Sequence, residues 1–202
     1  MLETTGPVAG IVLAAGTSSR MGRNKLFLTL DGESVLRRAV RQAAAAGLDP
    51  IVVVLGHEAD RVRQELSGLA CVTVVNPDYD RGINFSLRAG LAAVPAETAA
   101  TVVMLADMPF VTAEMIATLV RCYRERTAPL VISDYEGVNA PPMLYDRSLF
   151  EELRTMEGEG CGRQVVRKHR GEAAVVQWPA SALTDLDVPG DYERVKSRLE
   201  VG

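Results

Sequence analysis

Residues 8–25 read VAGIVLAAGTSSRMGRNK. The apolar start of this segment and its Gly-rich, basic end indicate the fold class. Its first six residues, 8–13, are apolar and rich in β-branched side chains, which predicts a buried strand. Small residues follow, and Gly16 and Gly22 tolerate positive φ angles, so the backbone there can approach a ligand closely. Consecutive backbone N–H groups in such a turn form an anion-binding nest. The stretch therefore predicts a strand that leads directly into a phosphate-binding loop.

The same loop concentrates positive charge in a chain that is acidic as a whole. The 202 residues carry a net charge of −4, which argues against non-specific nucleic-acid binding. A polyanionic ligand then needs a local group of cations, and the loop supplies Arg20, Arg23 and Lys25. It is not a P-loop, because Arg23 and Asn24 follow Gly22, and it lacks the GxGxxG dinucleotide fingerprint. The alternative is a Gly-rich surface turn with solvated basic side chains, which its place at a strand end disfavours.

Short apolar runs alternate with segments of helical period along the rest of the chain. We predict strands at 8–13, 51–55, 72–75, 101–105, 130–133, 143–145 and 173–177. We predict helices at 34–46, 58–66, 84–94, 112–126 and 191–199. This alternation predicts an α/β fold with a mostly parallel central sheet, and the length suits a single domain over residues 1–202. The Gly-rich stretch 157–162 is the candidate for a flexible substrate loop.

The cysteines and the apolar runs indicate the cellular setting. Cys71, Cys122 and Cys161 are far apart and show no metal-ligand spacing, which predicts a reducing, cytoplasmic compartment without a zinc site. The first residues lack the pattern of a signal peptide, and we find no apolar stretch of membrane-spanning length.

Carboxylates at the ends of predicted elements are the candidate metal ligands. Asp107 follows the apolar run Val102-Val103-Met104-Leu105-Ala106 and precedes Pro109, at the carboxyl end of a strand. Mg²⁺ takes one or two carboxylates and fills its shell with water and phosphate oxygens. The alternative for Asp107 is a turn or helix-capping role. Asp185 and Asp187 form a second pair, and on a strand they would point to opposite faces, so one of the two would reach the metal.

Five strings of this sequence resemble the molybdenum cofactor nucleotidyltransferases, and most closely their cytidylyltransferase branch. They are LAAGTSSRMGRNK, VVVLGHEADRV, NPDYDRGINFSLRAG, VVMLADMP and DLDVPGDY, and the resemblance extends over about residues 8–199. It implies a three-layer, Rossmann-like nucleotidyltransferase fold. It also implies transfer of a nucleotidyl group from a nucleoside triphosphate to the phosphate of molybdopterin, with Mg²⁺ as cofactor and release of pyrophosphate.

The resemblance assigns roles to residues by motif. Arg20, Lys25 and Asp107 are the implied catalytic residues, and Asp107 and Asp187 are the implied Mg²⁺ ligands, with Asp185 a rival for the second position. Ala15 fits the LAAG form of pyrimidine-using relatives, whereas guanylyl-transferring relatives tend to have LAGG, so CTP is the favoured substrate. The implied nucleotide-binding residues are Leu13, Ala14, Ala15, Gly16, Arg20, Lys25, Gly82 and Ser86.

Two departures from the family pattern concern the acceptor. Asn139-Ala140-Pro141-Pro142 stands where the branch usually has Gly-His-Pro, and Gly158-Glu159-Gly160-Cys161-Gly162-Arg163 replaces Gly-Asp-x-Gly-Ala-Arg. Both segments are expected to face the acceptor, and Arg163 and Arg167 are weak candidates for binding its phosphate.

Alternative functions remain open from the sequence. One is guanylyl transfer to the same cofactor, or nucleotidyl transfer to another phosphorylated acceptor such as a sugar phosphate. Another, of a different class, is a non-catalytic nucleotide- or cofactor-binding chaperone. A molybdoenzyme or its chaperone is a candidate partner, whereas nucleic acid and membrane are not.

Overall fold

The fold is seen in a computed structural model that describes residues 5–19, 21–126, 128–156, 160 and 162–201. The strands are β1 (Val8–Ala14), β2 (Thr29–Leu30), β3 (Glu33–Ser34), β4 (Ile51–Leu55), β5 (Val72–Val75), β6 (Ala100–Leu105), β7 (Leu130–Tyr135), β8 (Val138–Asn139), β9 (Met143–Asp146) and β10 (Ala174–Trp178). The helices are α1 (Val35–Ala45), α2 (Ala59–Glu65), α3 (Ile83–Ala92), α4 (Ala113–Arg126), α5 (Phe150–Thr155), α6 (Arg163–His169) and α7 (Pro189–Val201).

The central sheet has the strand order β10-β7-β9-β6-β1-β4-β5, with β8 paired to β7. Neighbouring strands pair in parallel except where β9 meets β6 and β7 and where β8 meets β7. The predicted α/β fold with a mostly parallel sheet is therefore confirmed. Because β1, β4 and β6 are adjacent and parallel, their carboxyl ends meet at one edge, which is where ligands bind in open α/β sheets.

Helices cover both faces of this sheet. Alternate residues of β1 point to opposite sides, so Ile11 packs into one apolar cluster with Leu87 of α3. Val12 packs into the other cluster, with Leu36 of α1 and Ile116 of α4. The two clusters on opposite faces confirm the predicted three-layer arrangement.

Most predicted elements are present, with bounds that differ by a residue or two. Strands β4 and β5 coincide with the predicted ranges, and Ser34 and Thr112 accept hydrogen bonds from Arg37 N and Met115 N as caps of α1 and α4. Two helices were not predicted, α5 and α6. Helix α5 has only six residues, and the apolar residues of α6, Val165 and Val166, are adjacent and show no helical spacing. In the described part of the chain, no helix is long and apolar enough to span a membrane.

A short hairpin, β2–β3, was also missed from the sequence. Its turn is Asp31-Gly32, both with positive φ angles, and this dipeptide favours the tight turn that joins two strands. The strands are two residues long, so no alternation of apolar and polar residues marks them. Leu30 of the hairpin packs in a third apolar cluster with Val195 of α7.

Gly90 allows α3 to lie directly on β1 and β4. A Cβ at this position would be 2.6 Å from Cγ2 of Ile11 and 3.0 Å from Cγ2 of Val54. We expect Gly90→Ala to lower the free energy of unfolding by about 1 kcal/mol or more, because overpacking outweighs the gain in helix propensity. Urea denaturation measures this change. Gly171→Ala is the control, because open space surrounds that position, and equal unfolding midpoints for the two variants would contradict the packing argument.

Candidate active site

The ammonium group of Lys25 joins three segments that are far apart in the sequence. Its Nζ contacts Oδ2 of Asp107 and lies 2.9 Å from Oδ1 of Asp187. Asp107 follows β6 by two residues, and Asp187 precedes α7 by two. Burial by itself lowers the pKa of Lys25, but the charge of Asp107 and the hydrogen bonds to both carboxylates outweigh it and raise the pKa. Lys25 is therefore a cation at neutral pH.

The loop after β1 holds Lys25 in place through its own side chains. The backbone N–H of Lys25 donates to Ser18 Oγ at 3.2 Å. Asn24 Oδ1 accepts from Leu26 N at 3.1 Å and so caps the short 3-10 helix that begins at Lys25. The amide nitrogen of Asn24 donates to Oε2 of Glu58 at 2.9 Å, which ties the loop to the segment after β4.

Asp187 is held from the opposite side by the start of α7. Oδ2 of Asp191 accepts from the backbone N–H groups of Asp187 at 3.0 Å and Val188 at 2.9 Å. The hydrogen bond from Val188 lowers the pKa of the Asp191 carboxyl most, and the one from Asp187 lowers it further. Leu186 N donates to the carbonyl of Asp107 at 3.3 Å. The segment that carries Asp187 is therefore attached directly to the end of β6.

A cavity of about 230 Å³ lies at the carboxyl ends of β1 and β6. The floor consists of residues from the strand ends and the loop, and the walls come from the start of α3 and the segment before it. The lining residues are Leu13, Ala14, Ala15, Gly16, Ser18, Lys25, Leu26, Tyr79, Ile83, Ser86, Leu105 and Asp107. A smaller cavity of about 150 Å³, lined by Ser18, Ser19, Lys25 and Asp187, adjoins it.

The Ser86 hydroxyl presents a donor to the first cavity. Asn76 Oδ1 accepts from the backbone N–H of Asp78 at 3.0 Å, which fixes the orientation of the Asn76 amide. Its Nδ2 therefore donates to Ser86 Oγ at 3.0 Å. A hydroxyl that accepts one hydrogen bond can also donate one, so Ser86 is a candidate donor to a ligand in this cavity.

A larger cavity of about 650 Å³ adjoins the first and shares Ile83 and Leu105 with it. Asp185 lines this second cavity. Surrounding protein raises the pKa of the Asp185 carboxyl, and the like charges of Asp107 and Asp187 add to the increase. The second cavity therefore lies beside the Lys25–Asp107–Asp187 cluster.

The structure places the residues predicted from the sequence as follows. Lys25, Asp107 and Asp187 are in contact, and Leu13, Ala14, Ala15, Gly16 and Ser86 line the first cavity. Gly82 does not belong to the described lining of that cavity, although it directly precedes Ile83, which does. Arg20 lies outside the described residues, as do Glu157, Gly158, Glu159 and Cys161.

The expectation that strand alternation separates Asp185 from Asp187 was wrong, because residues 185–187 are not in a strand. The two carboxylates differ instead in the groups that they contact. Asp187 binds Lys25, whereas Asp185 lines the second cavity.

Several residues of the site were missed from the sequence. Tyr79 and Ile83 line the first cavity, and Asn24, Glu58 and Asn76 hold other site residues in place. Glu58 has a left-handed backbone, with φ of 52°, which is uncommon for a residue other than glycine. An Asn before the first helical position is a recognisable cap signal, so Asn24 was within reach of sequence reasoning.

The donor set around Lys25 fits a divalent cation that also binds phosphate. Two carboxylate oxygens converge on one positive centre, which is the number of protein ligands Mg²⁺ commonly takes beside phosphates. Among the described residues there is no cluster of three or more Asp, Glu, His or Cys side chains able to form an all-protein metal site. A metal here would therefore complete its shell with water and ligand oxygens.

Comparison with known proteins finds a matching family and similar sequences and structures. Residues 10–174 match the sequence model of the MobA-like NTP transferase domain. The purine catabolism protein PucB of Bacillus subtilis (strain 168) is 28% identical over 205 residues, which cover 94% of this chain and 96% of PucB. A probable molybdenum cofactor guanylyltransferase of Opitutus terrae is 35% identical over 132 residues, covering 65% of this chain and 63% of that protein.

A similar structure is the crystal structure of Rv0371c from Mycobacterium tuberculosis H37Rv. It has a TM-score of 0.85 and 26% identity, and the match covers 95% of this chain and 98% of Rv0371c. A complex of Rv0371c with manganese matches with a TM-score of 0.77 and 27% identity, over the same shares of the two chains.

The contacts of the two aspartates predict different effects on metal binding. We expect Asp187→Asn to weaken Mn²⁺ binding roughly tenfold or more, in line with the cost of disturbing a metal site. Asp185→Asn removes the same charge nearby and should change the affinity much less. Electron paramagnetic resonance of free Mn²⁺ measures both affinities. A larger loss in Asp185→Asn than in Asp187→Asn would show that the ligands are assigned in the wrong order.

Proposed function

The chain belongs to the MobA-like NTP transferase family, and we propose that it transfers CMP from CTP to the phosphate of a molybdopterin-type acceptor, releasing pyrophosphate. The observation that carries this proposal is the Lys25 ammonium group in contact with Asp107 and Asp187, beside a Gly-rich loop at the carboxyl edge of a parallel sheet. A nucleotidyltransferase needs positive charge and a metal-binding carboxylate at one place.

The proposed reaction requires no nucleophilic side chain. An anionic phosphate oxygen of the acceptor attacks the α-phosphorus of CTP, a new P–O bond forms, and the bond to the β-phosphate breaks with its electron pair leaving on pyrophosphate. Donors fixed in advance stabilise the charge that develops on the leaving group. Lys25 supplies such a donor, and the backbone of the loop from Ala15 to Ser18 offers N–H groups beside the same cavity.

In the proposed mechanism Asp107 and Asp187 hold Mg²⁺. When bound, Mg²⁺ supplies positive charge that neutralises phosphate oxygens. Lys25 would keep its ammonium group next to these carboxylates and to the triphosphate.

The preference for CTP is supported by the loop sequence and by the first cavity. Leu13-Ala14-Ala15-Gly16 has the form of the pyrimidine-using relatives, and all four residues line the cavity. Ser86 lines the same space, and its hydroxyl would be a donor to the O2 carbonyl of cytosine.

Guanylyl transfer to the same acceptor is the second candidate. The observation in its favour is the 35% identity to a probable molybdenum cofactor guanylyltransferase. A Ser86 donor does not by itself reject guanine, whose O6 is also an acceptor. The two candidates therefore differ in the base and share the remaining chemistry.

Product analysis with a panel of nucleotides tests the proposal. The protein is incubated with Mg²⁺, molybdopterin and CTP, GTP or UTP, while pyrophosphate is measured and the dinucleotide is identified by mass. We expect the cytosine dinucleotide as the main product. A guanine dinucleotide as the main product would replace the first candidate by the second, and tight nucleotide binding without pyrophosphate release would contradict both.

Removing either charge of the central pair should abolish most turnover and leave the fold intact. We expect Lys25→Ala and Asp107→Ala each to lower the rate by roughly 10²–10³, as for other donors fixed in advance in a water-poor site. Circular dichroism checks the fold. Arg121→Gln is the control, because its surface ion pair with Glu114 lies on α4. Near-normal turnover in either active-site variant would refute the assigned roles.

A further inference from the structure

The turn at residues 56–58, between β4 and α2, contacts the start of the loop after β1. The backbone N–H of His57 donates to the carbonyl of Ala15 at 3.3 Å. Gly56 lies between Ala15 and Tyr79, where a Cβ would be 2.8 Å from Cβ of Ala15 and 2.6 Å from Cβ of Tyr79. Ala15 and Tyr79 both line the first cavity. The turn therefore packs directly against the loop and against one wall of the cavity, with no space for a side chain at Gly56.

The same turn contacts the far end of the loop through Glu58. Oε2 of Glu58 accepts from Nδ2 of Asn24 at 2.9 Å. This hydrogen bond lowers the pKa of the Glu58 carboxyl, which is therefore ionised at neutral pH and can only accept hydrogen bonds. Asn24 must then present its amide nitrogen to Glu58, which leaves its Oδ1 for the N–H of Leu26 at 3.1 Å. Glu58 thereby fixes the cap of the 3-10 helix that begins at Lys25.

The other oxygen of Glu58 reaches the end of the same short helix through an arginine. Oε1 of Glu58 accepts from Nη1 of Arg61 at 2.9 Å. The guanidinium group of Arg61 lies over the ring of Phe27, 4.0 Å from its centroid, which is a favourable cation–π distance. Phe27 is the last residue of the 3-10 helix. One carboxylate is thus linked to both ends of the three-residue helix that carries Lys25.

The backbone of Glu58 is held in an unfavourable conformation. Its φ and ψ angles are 52° and 37°, in the left-handed region, where a Cβ crowds the neighbouring carbonyl oxygen. Glycine adopts this conformation without that cost. Strain of this kind persists where surrounding contacts impose it, and it is concentrated at functional sites. Glu58→Gly would therefore relax the backbone while it removes the contacts with Asn24 and Arg61.

We propose that residues 56–58 hold both ends of the loop in the geometry that binds the triphosphate, and that Glu58 is a positioning residue that acts on Lys25 through Asn24. The inference rests on the proposed function and specifies what prepares its loop for the nucleotide. Among the described residues, Glu58 is not part of the lining of the first cavity, so it acts through the loop. The ammonium group of Lys25 stabilises charge most effectively when its position is fixed before the ligand arrives.

Calorimetry together with urea denaturation separates positioning from stability. We expect Glu58→Gly to raise Kd for CTP and GTP, each measured with Mg²⁺, about tenfold or more, as for loss of a hydrogen bond to a charged group. The unfolding midpoint should change little, because the relaxed backbone offsets the lost contacts. Asp31→Gly is the matched control: Asp31 also has a φ of 52° and pairs with an arginine, Arg38, at 3.4 Å. An unchanged Kd in Glu58→Gly, or an equal rise in Asp31→Gly, would overturn the proposal.

Reversing the hydrogen bond between Asn24 and Glu58 tests the route to Lys25. Asn24→Asp keeps the oxygen that caps Leu26 but replaces the amide donor by a second negative charge that faces Glu58. We expect this variant to bind the nucleotides more weakly. Adding Glu58→Gln supplies a donor from the other side and keeps the net charge of the pair, so the double variant should regain most of the affinity. Losses that simply add in the double variant would show that the pair is not coupled.

Hydrogen exchange of the ligand-free protein tests the support of the loop directly. The N–H groups of Lys25 and Leu26 are protected by their hydrogen bonds to Ser18 and Asn24. We expect Glu58→Gly to lose part of this protection in residues 21–27, whereas Asp31→Gly should retain it. Unchanged exchange in Glu58→Gly would refute the positioning role. Because this measurement needs no nucleotide, it decides the role of Glu58 even if the wild-type protein binds neither CTP nor GTP, a result that would refute the proposed function instead.

Discussion

The contact of one ammonium group with two carboxylates organises the carboxyl edge of the sheet. Lys25 comes from the loop after β1, Asp107 from the end of β6, and Asp187 from the segment before α7. Two carboxylates this close repel one another unless a cation lies between them. The ammonium group of Lys25 therefore offsets the repulsion between the two acids, and a bound metal would do the same.

Hydrogen bonds from neighbouring residues hold Lys25 and Asp187 in place for this contact. Asn24 and Ser18 fix the backbone at Lys25, and Asp191 fixes the backbone at Asp187. Each restraint is a hydrogen bond between a side chain and the backbone. The ammonium group of Lys25 and the carboxylate of Asp187 take no part in these restraints. Sites that stabilise developing charge depend on such prior positioning, because reorganisation during the reaction would cost part of the stabilisation.

The two larger cavities of the site, of about 230 and 650 Å³, are lined by different charged side chains. The cavity of about 230 Å³ is lined by the loop, Lys25 and Asp107, and the cavity of about 650 Å³ is lined by Arg163 and Arg167 of α6, by Asp185 and by residues 137–141. The two residues that line both cavities, Ile83 and Leu105, are apolar.

The sequence by itself determined most of the order of strands and helices, the Gly-rich basic loop after β1 and the acid at the end of β6, since apolar period, glycines and isolated charges are local signals. Short elements such as α6 were not predicted, because the two apolar residues of that helix, Val165 and Val166, are adjacent and show no helical period. Which of Asp185 and Asp187 contacts Lys25, and which residues line each cavity, were decided by the tertiary structure alone. These contacts and cavities depend on which segments meet at the sheet edge. That arrangement is set by packing between residues that are distant in the sequence.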